Sequence, residues 1–315
     1  MTAADGARAP DDYDEFGLLH ENADECGLTL DPDLVLERGF LEVEPGRRLS
    51  YIRWGTAEPE LVLLHGGGQN AHTWDSVALA LGRPAIAVDL PGHGHSFRRA
   101  DRDYGPWRNA AALEVALPRL APEGAVVVGM SLGGVTAIHL AAKRPDLCRR
   151  AVVVDVTPQV NAPGRSMTTQ ERGSVALIAG PPEYESLEEM VDAAVALNPS
   201  RPASAVRRGV RHNALRDADG RWRWRYDLFG PLPEGTTRDL WDFTPLWDDV
   251  SSIRVPAMLV RGGLSRFVLD EDAAEMRRRL PDLRVEVVDG AGHAVQSDRP
   301  LELARLIEDF AFAGT

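Results

Sequence analysis

Ala125-Val126-Val127-Val128-Gly129-Met130-Ser131-Leu132-Gly133 reads as a strand that stops at a glycine, turns on one serine and opens a helix. A short continuous apolar run rich in β-branched residues is the pattern of a strand buried on both faces. Residues 132–144 continue with a helix-like pattern. The turn between two such elements is so sharp that the serine must take a strained backbone conformation. Gly129 and Gly133 leave room for strand and helix to approach closely. That strain holds the Ser131 hydroxyl out at the sheet edge. The helix N-terminus beneath it favours developing negative charge. Gly-x-Ser-x-Gly in a strand–turn–helix context predicts a nucleophilic serine.

The same kind of apolar run recurs on either side. Leu61-Val62-Leu63-Leu64 ends in His65-Gly66-Gly67-Gly68, and Ala85-Ile86-Ala87-Val88 ends at Asp89. Ala151-Val152-Val153-Val154 ends at Asp155, Ala257-Met258-Leu259-Val260 at Arg261-Gly262-Gly263, and Val285-Glu286-Val287-Val288 at Asp289-Gly290. Helix-like stretches lie between them, at about 72–82, 105–119, 270–280 and 299–312. Strands that alternate with helices predict an α/β fold, a mostly parallel sheet with helices on both faces. In such sheets the functional groups sit in loops at the carboxyl ends of the strands. Residues 38–54 alternate apolar and polar around Pro45-Gly46, as an antiparallel hairpin should.

Between about Pro158 and Ser252 the alternation breaks. This stretch has helical segments near 167–179 and 185–197, an Arg- and Trp-rich segment at 201–225, and no buried strand run. We read residues 158–251 as a mainly helical cap inserted into a core of residues 36–157 and 252–315. Residues 1–35 form an N-terminal arm, whose first 15 residues are polar and acidic and read as disordered or loosely attached.

Composition excludes several classes. The chain has 315 residues with 44% hydrophobic and 26% charged, which is ordinary for a soluble globular protein. Its 48 acidic and 35 basic residues give a formal net charge of −13, which disfavours nucleic acid or an anionic membrane as partner. Cys26 and Cys148 are too few for a metal cluster or a disulfide scaffold, so two reduced thiols are expected. No run is long enough to span a membrane, and residues 1–15 lack the apolar core of a signal peptide, so the cytoplasm is the expected compartment. No metal or organic cofactor is implied, and the strand exits carry no nucleotide-binding glycine pattern. The expected partner is a small-molecule substrate; a homodimer is compatible with the chain.

Acyl transfer needs two backbone N–H donors at the developing oxyanion. Leu132, just after the serine, should give one. Gly67 is expected to give the other, with Gly68 as the fallback. His293, in Gly290-Ala291-Gly292-His293 after the last strand, can swing toward the serine as its base. The other seven histidines precede the elbow, sit on its helix or lie in the cap, whereas the chain order of nucleophile, acid and histidine selects His293.

From about Leu36 to Ala311 the chain resembles the α/β-hydrolase family. The resemblance is carried by His65-Gly66…Trp74, Asp89-Leu90-Pro91-Gly92-His93-Gly94-His95-Ser96, Gly129-Met130-Ser131-Leu132-Gly133 and Gly290-Ala291-Gly292-His293, in the family's order. It implies the α/β-hydrolase fold and a triad of serine, acid and histidine. Family members commonly carry the acid a few residues into the loop after the penultimate strand. Here that position is Ser265, in Arg261-Gly262-Gly263-Leu264-Ser265-Arg266-Phe267-Val268. The substitute we select is Asp155, after the strand that follows the elbow helix, a position some members use. Asp270 and Asp272 are the alternatives.

A serine nucleophile suits an ester, lactone, thioester, amide, or a C–C bond next to a carbonyl. The readings from other classes are a lyase, cyclase or cofactor-free oxygenase on the same fold, and a catalytically weak small-ligand binding module. In the cap, Arg201, Arg207, Arg208, Arg211, Arg216, Arg221, Arg223 and Arg225 make a basic island that could clamp an anionic substrate or form a solvated face. Trp222 and Trp224 alternate with arginines as on a short strand, and either line an acyl pocket or fasten the cap to the core. Arg211 and Trp224 are the cap residues selected as substrate contacts.

Overall fold

A computed structural model describes residues 13–160, 181, 183–199, 201–227 and 242–313. Ten strands lie among them: β1 (Leu36–Glu44), β2 (Arg47–Trp54), β3 (Leu61–Leu64), β4 (Ala85–Asp89), β5 (Ala125–Met130), β6 (Cys148–Val154), β7 (Ala214–Arg216), β8 (Trp222–Trp224), β9 (Ala257–Gly262) and β10 (Arg284–Val288). Eight make one sheet in the order β1-β2-β4-β3-β5-β6-β9-β10. β2 is antiparallel to both neighbours, and the six strands from β4 to β10 run parallel.

The helices are α1 (Leu19–Cys26), α2 (Asp75–Leu81), α3 (Pro106–Leu120), α4 (Leu132–Lys143), α5 (Leu187–Leu197), α6 (Ala203–Asn213), α7 (Leu246–Ser252), α8 (Asp270–Arg279), α9 (Val295–Asp298) and α10 (Pro300–Ala311). The period of two along each strand sends side chains to opposite faces. Val62, Leu64, Val127 and Val153 join residues of α3, α4, α7 and α8 in one apolar layer. Leu61, Leu63, Val126 and Val152 join α1, α2, α9 and α10 in the other. The fold is therefore the α/β-hydrolase fold, with helices on both faces of a mostly parallel sheet.

Three regions depart from the sequence reading. β10 is an edge strand, and Val287 is 49% exposed rather than buried, because only β9 pairs with it. The stretch 158–251 contains a two-stranded hairpin, β7 with β8, besides α5 and α6; the helix expected near 167–179 lies outside the described residues. Residues 13–15 of the expected loose arm are docked. Tyr13 Oη is 2.7 Å from His212 Nδ1, and Glu15 pairs with Arg38 at 2.7 Å. α1 follows and buries Leu19 and Ala23 against the core. Polar, acidic residues look solvated in a sequence when their cationic partners lie far along the chain. Among the described residues no helix is long and apolar enough to cross a membrane.

Candidate active site

The strand order turns back at β3, with β4 on one side and β5 on the other. A crevice opens at such a switch point, at the carboxyl ends of the strands. The exits of β3 (His65–Gly68) and β5 (Ser131) meet there. Ser131 has φ 51° and ψ −114°, a region non-glycine residues seldom occupy. A methyl group on Gly129 would run into the Gly133 carbonyl, and one on Gly133 into the Leu64 carbonyl. Both glycines are therefore required by close approach, as the motif implied. The Ser131 N–H donates to Val154 O at 3.1 Å, fastening the turn to the end of β6. The first residue after that strand is Asp155, which shares the positive φ of 51°.

Asp155 is fully buried. Its Oδ2 lies 2.8 Å from His293 Nδ1, and its Oδ1 accepts the Gly262 N–H at 2.9 Å. The Ser265 hydroxyl also donates to Oδ2, and Ser265 Oγ accepts the Phe267 N–H at 3.1 Å. The Phe267 ring stacks on the imidazole, centroids 3.4 Å apart and planes 10° off parallel. A carboxylate at Nδ1 places the ring proton on that nitrogen and leaves Nε2 as the basic one. His293 Nε2 is buried and bonded to no group among the described residues. It makes no hydrogen bond to Ser131 Oγ in this structure; such contacts tighten when substrate binds.

The two alternative acids are engaged elsewhere. Asp270 is exposed and pairs with Arg261 at 2.8 Å. Asp272 accepts the Leu269 N–H at 2.8 Å across the first turn of α8. The structure brings Asp155 to the imidazole ring.

In the β3 exit loop, the Gly66 N–H goes to Gln69 Oε1 at 3.0 Å and the Gly68 N–H to His93 Nε2 at 3.1 Å. The fallback donor Gly68 is thus occupied. Gly67 lies between these two and has no acceptor among the described residues. Leu132, the other expected donor, is the first residue of α4, where backbone N–H groups have no helical partner. Burial, with His65 alongside, holds His93 down to about 3, so the ring is neutral and can accept from Gly68. Burial also lowers His65, whose Nε2 accepts the Leu90 N–H at 2.9 Å. Two neutral histidines thereby set the shape of the loop.

The end of α6 reaches the same loop. Asn213 Nδ2 donates to Gly68 O at 2.6 Å, and Asn70 Nδ2 to His212 O at 3.1 Å. Most of the basic island is neutralised: Arg201 pairs with Asp298, Arg207 with Glu188, Arg208 with Glu21 and Glu25, Arg221 with Glu183 and Glu185, and Arg223 with Glu183 and Asp217. Trp224 sits with Tyr184, Met190 and Val210 in the insert's own apolar cluster, stacked on Tyr226 at 5.7 Å. It thus packs within the insert, and neither of the two roles considered, acyl pocket or fastening to the core, is seen in these contacts. Arg211 is half-buried in the last turn of α6. Sequence reasoning missed Phe267, His93, Asn213 and the hydroxyl of Ser265 as parts of this site. Ser265 left a signal by standing where an acid was expected, and His93 by its place in the stretch Asp89–Ser96 that carries the resemblance.

The family model described as "Alpha/beta hydrolase family" matches residues 61–306. The chain is 48% identical over 295 residues to esterase Rv0045c of Mycobacterium tuberculosis, spanning 93% of this chain and 94% of that protein. A solved structure of that esterase, from work on its transition metal inhibition, superposes with a TM-score of 0.82 at 46% identity, covering 94% of this chain and 98% of the other. The 2-(acetamidomethylene)succinate hydrolase of Mesorhizobium japonicum is 30% identical over 279 residues, 85% of this chain and 93% of that one.

Proposed function

The chain belongs to the alpha/beta hydrolase family and is a hydrolase, and from that premise we propose that it is a serine esterase acting on a small-molecule carboxylic ester. The observation that carries this reading is the 2.8 Å contact of His293 Nδ1 with buried Asp155, one strand over from the Ser131 turn. Ser131 Oγ attacks the ester carbonyl while His293 Nε2 takes its proton. The Gly67 and Leu132 N–H groups receive the oxyanion; one such donor is worth about 10²–10³ in kcat. The tetrahedral intermediate collapses, His293 protonates the departing alkoxide, and the acyl group stays on Ser131. Water, deprotonated by His293, then releases the acid. Asp155 holds the ring tautomer and stabilises the imidazolium that forms in each half-reaction.

An ester matches the activity named for the 48% identical relative. The substrate we propose is not selected by negative charge, since carboxylates already engage Arg201, Arg207, Arg208, Arg221 and Arg223. The test is a panel of p-nitrophenyl esters of increasing acyl length, matched amides and a hemisuccinate ester, run in ¹⁸O-water with wild type and Ser131→Ala. The expected result is neutral-ester turnover that puts one ¹⁸O into the acid and disappears in the variant. Turnover that survives without Ser131, or an acid product without label, would overturn the proposal.

A further inference from the structure

Ser204, Arg208 and His212 stand four residues apart on α6 and so share one face of the helix. All three meet the N-terminal arm. Ser204 Oγ donates to Glu25 Oε1 at 2.9 Å. Arg208, which is buried, pairs with Glu25 at 2.5 Å and with Glu21 at 3.2 Å. His212 Nδ1 lies 2.7 Å from Tyr13 Oη. Burial holds His212 well below its ordinary value, so the ring is neutral and Nδ1 can accept the Tyr13 O–H. Val206 and Val210 lie on the opposite face of α6 and pack inside the insert with Met190 and Ala194. The face toward the arm is therefore held by polar contacts.

The arm is itself fixed to the core. Glu15 pairs with Arg38 at 2.7 Å and lies 3.2 Å from His72 Nε2. Asn22 Nδ2 donates to Ser76 Oγ on α2 at 2.9 Å, and Leu19 and Ala23 are buried in the core layer. At its other end α6 grips the loop that carries Gly67. Asn213, the last residue of the helix, donates from Nδ2 to Gly68 O at 2.6 Å, and His212 O accepts from Asn70 Nδ2 at 3.1 Å. Gly68 is thus held at both of its polar groups, the N–H by His93 of the core and the carbonyl by Asn213 of the insert. Its φ of 74° is a conformation that glycine adopts freely, so these two bonds, and no side chain of its own, define the turn.

We propose that residues 13–25 of the arm are a strap that, through α6 and Asn213, positions the β3 exit loop for catalysis. The inference rests on the reading of Gly67 as an oxyanion donor. Tyr13, Arg208 and Asn213 are positioning residues, which act through the loop and not on the reacting atoms. With the strap in place, the last turn of α6 stays on Gly68 and the Gly67 N–H stays directed at the oxyanion. With the strap loosened, the loop samples orientations in which that donor points away. The oxyanion develops only on the way to the tetrahedral intermediate, so the loss falls on kcat and leaves KM alone.

The test is a double-mutant cycle on the full chain, Tyr13→Phe against Asn213→Ala. It is read by p-nitrophenyl ester kinetics and by hydrogen–deuterium exchange of the peptide spanning residues 64–70. Tyr13→Phe removes one hydroxyl from His212, and the expected loss in kcat is about 3- to 10-fold with KM unchanged. Asn213→Ala cuts the bond to the loop itself and should cost about 10- to 100-fold in kcat. Because Tyr13 acts through Asn213, adding Tyr13→Phe to Asn213→Ala should cost less than about 1.5-fold more. Exchange in residues 64–70 should be faster than wild type in both single variants. Fully additive losses, a raised KM at unchanged kcat, or loop exchange equal to wild type would overturn the proposal. The exchange measurement needs no substrate. Turnover that survives Ser131→Ala would therefore sink the esterase reading while exchange alone still judges the strap. If Asn213→Ala does not fold by near-ultraviolet circular dichroism, Asn213→Leu, which keeps the volume, replaces it.

Discussion

Asp155→Asn keeps the shape of the side chain but removes the charge that faces His293 Nδ1. The amide no longer favours the ring tautomer with a basic Nε2, so kcat is expected to fall on the order of 10⁴-fold with KM little changed. Ser265→Ala is milder. It removes one hydroxyl donor from a carboxylate that keeps the Gly262 N–H, and a hydrogen bond to a charged group is worth about 1.5–3 kcal/mol, or about 10- to 100-fold in kcat. Steady-state kinetics on one ester checks both; equal losses in the two variants would contradict this division of labour. At this scale the sequence was legible where chemistry coincides with local order. Ser131 announces itself through its flanking glycines, and His293 through its glycine loop. The job of Ser265 was not legible, because the hydroxyl acts on a carboxylate 110 residues away and that distance closes only when β6 pairs with β9.

Among elements, the close approach of α4 to the ends of β3 and β5 is a tight constraint. Gly133→Ala places a methyl against the Leu64 carbonyl, backbone that cannot rotate aside. The expected cost is about 3 kcal/mol or more, measured by urea unfolding, and a loss under about 1 kcal/mol would contradict the packing described. The six apolar runs read from the sequence correspond to β3, β4, β5, β6, β9 and β10; for the first five, burial on two faces leaves little choice of residue, while β10 is a partly exposed edge strand. Strand exits were legible too: a glycine or aspartate stands within two residues of the end of each run. α1 was not, because only Leu19, Ala23 and their neighbours face the core while Glu21 and Glu25 serve Arg208. β8 was legible in the alternation of Trp222 and Trp224 with arginines, whereas its partner β7, three residues long, carries no such pattern.

Across the whole molecule, ion pairs join segments that the sequence keeps apart. Arg38, nearly buried, holds both Asp89 at 2.8 Å and Glu15 at 2.7 Å. Arg38→Ala strands the fully buried Asp89 carboxylate, and a loss of about 3–5 kcal/mol in urea is expected. Acid should weaken the fold before its carboxylates titrate. Burial keeps His65 and His93 neutral in the folded state, His93 down to about 3, whereas the unfolded chain protonates them near their ordinary value of about 6.5. Below that pH the unfolded state binds more protons, so stability falls as pH drops from 6.5 toward 4, by up to about 1.4 kcal/mol per unit for His93, and His65, lowered by burial, acts in the same direction. Urea midpoints at pH 6.5, 5.5 and 4.5 check this. His93→Gln, which retains an acceptor for the Gly68 N–H, should flatten part of the slope, and a flat wild-type profile would contradict the assignment.

The claim on which the rest depends is that Ser131 is activated through His293 and Asp155. Intact-mass analysis after a fluorophosphonate probe tests it on wild type, Ser131→Ala and Asp155→Asn together. One adduct is expected on wild type, none on Ser131→Ala, and adduct formation slowed by orders of magnitude on Asp155→Asn. No adduct on folded wild type, or equal rates in wild type and Asp155→Asn, would contradict it.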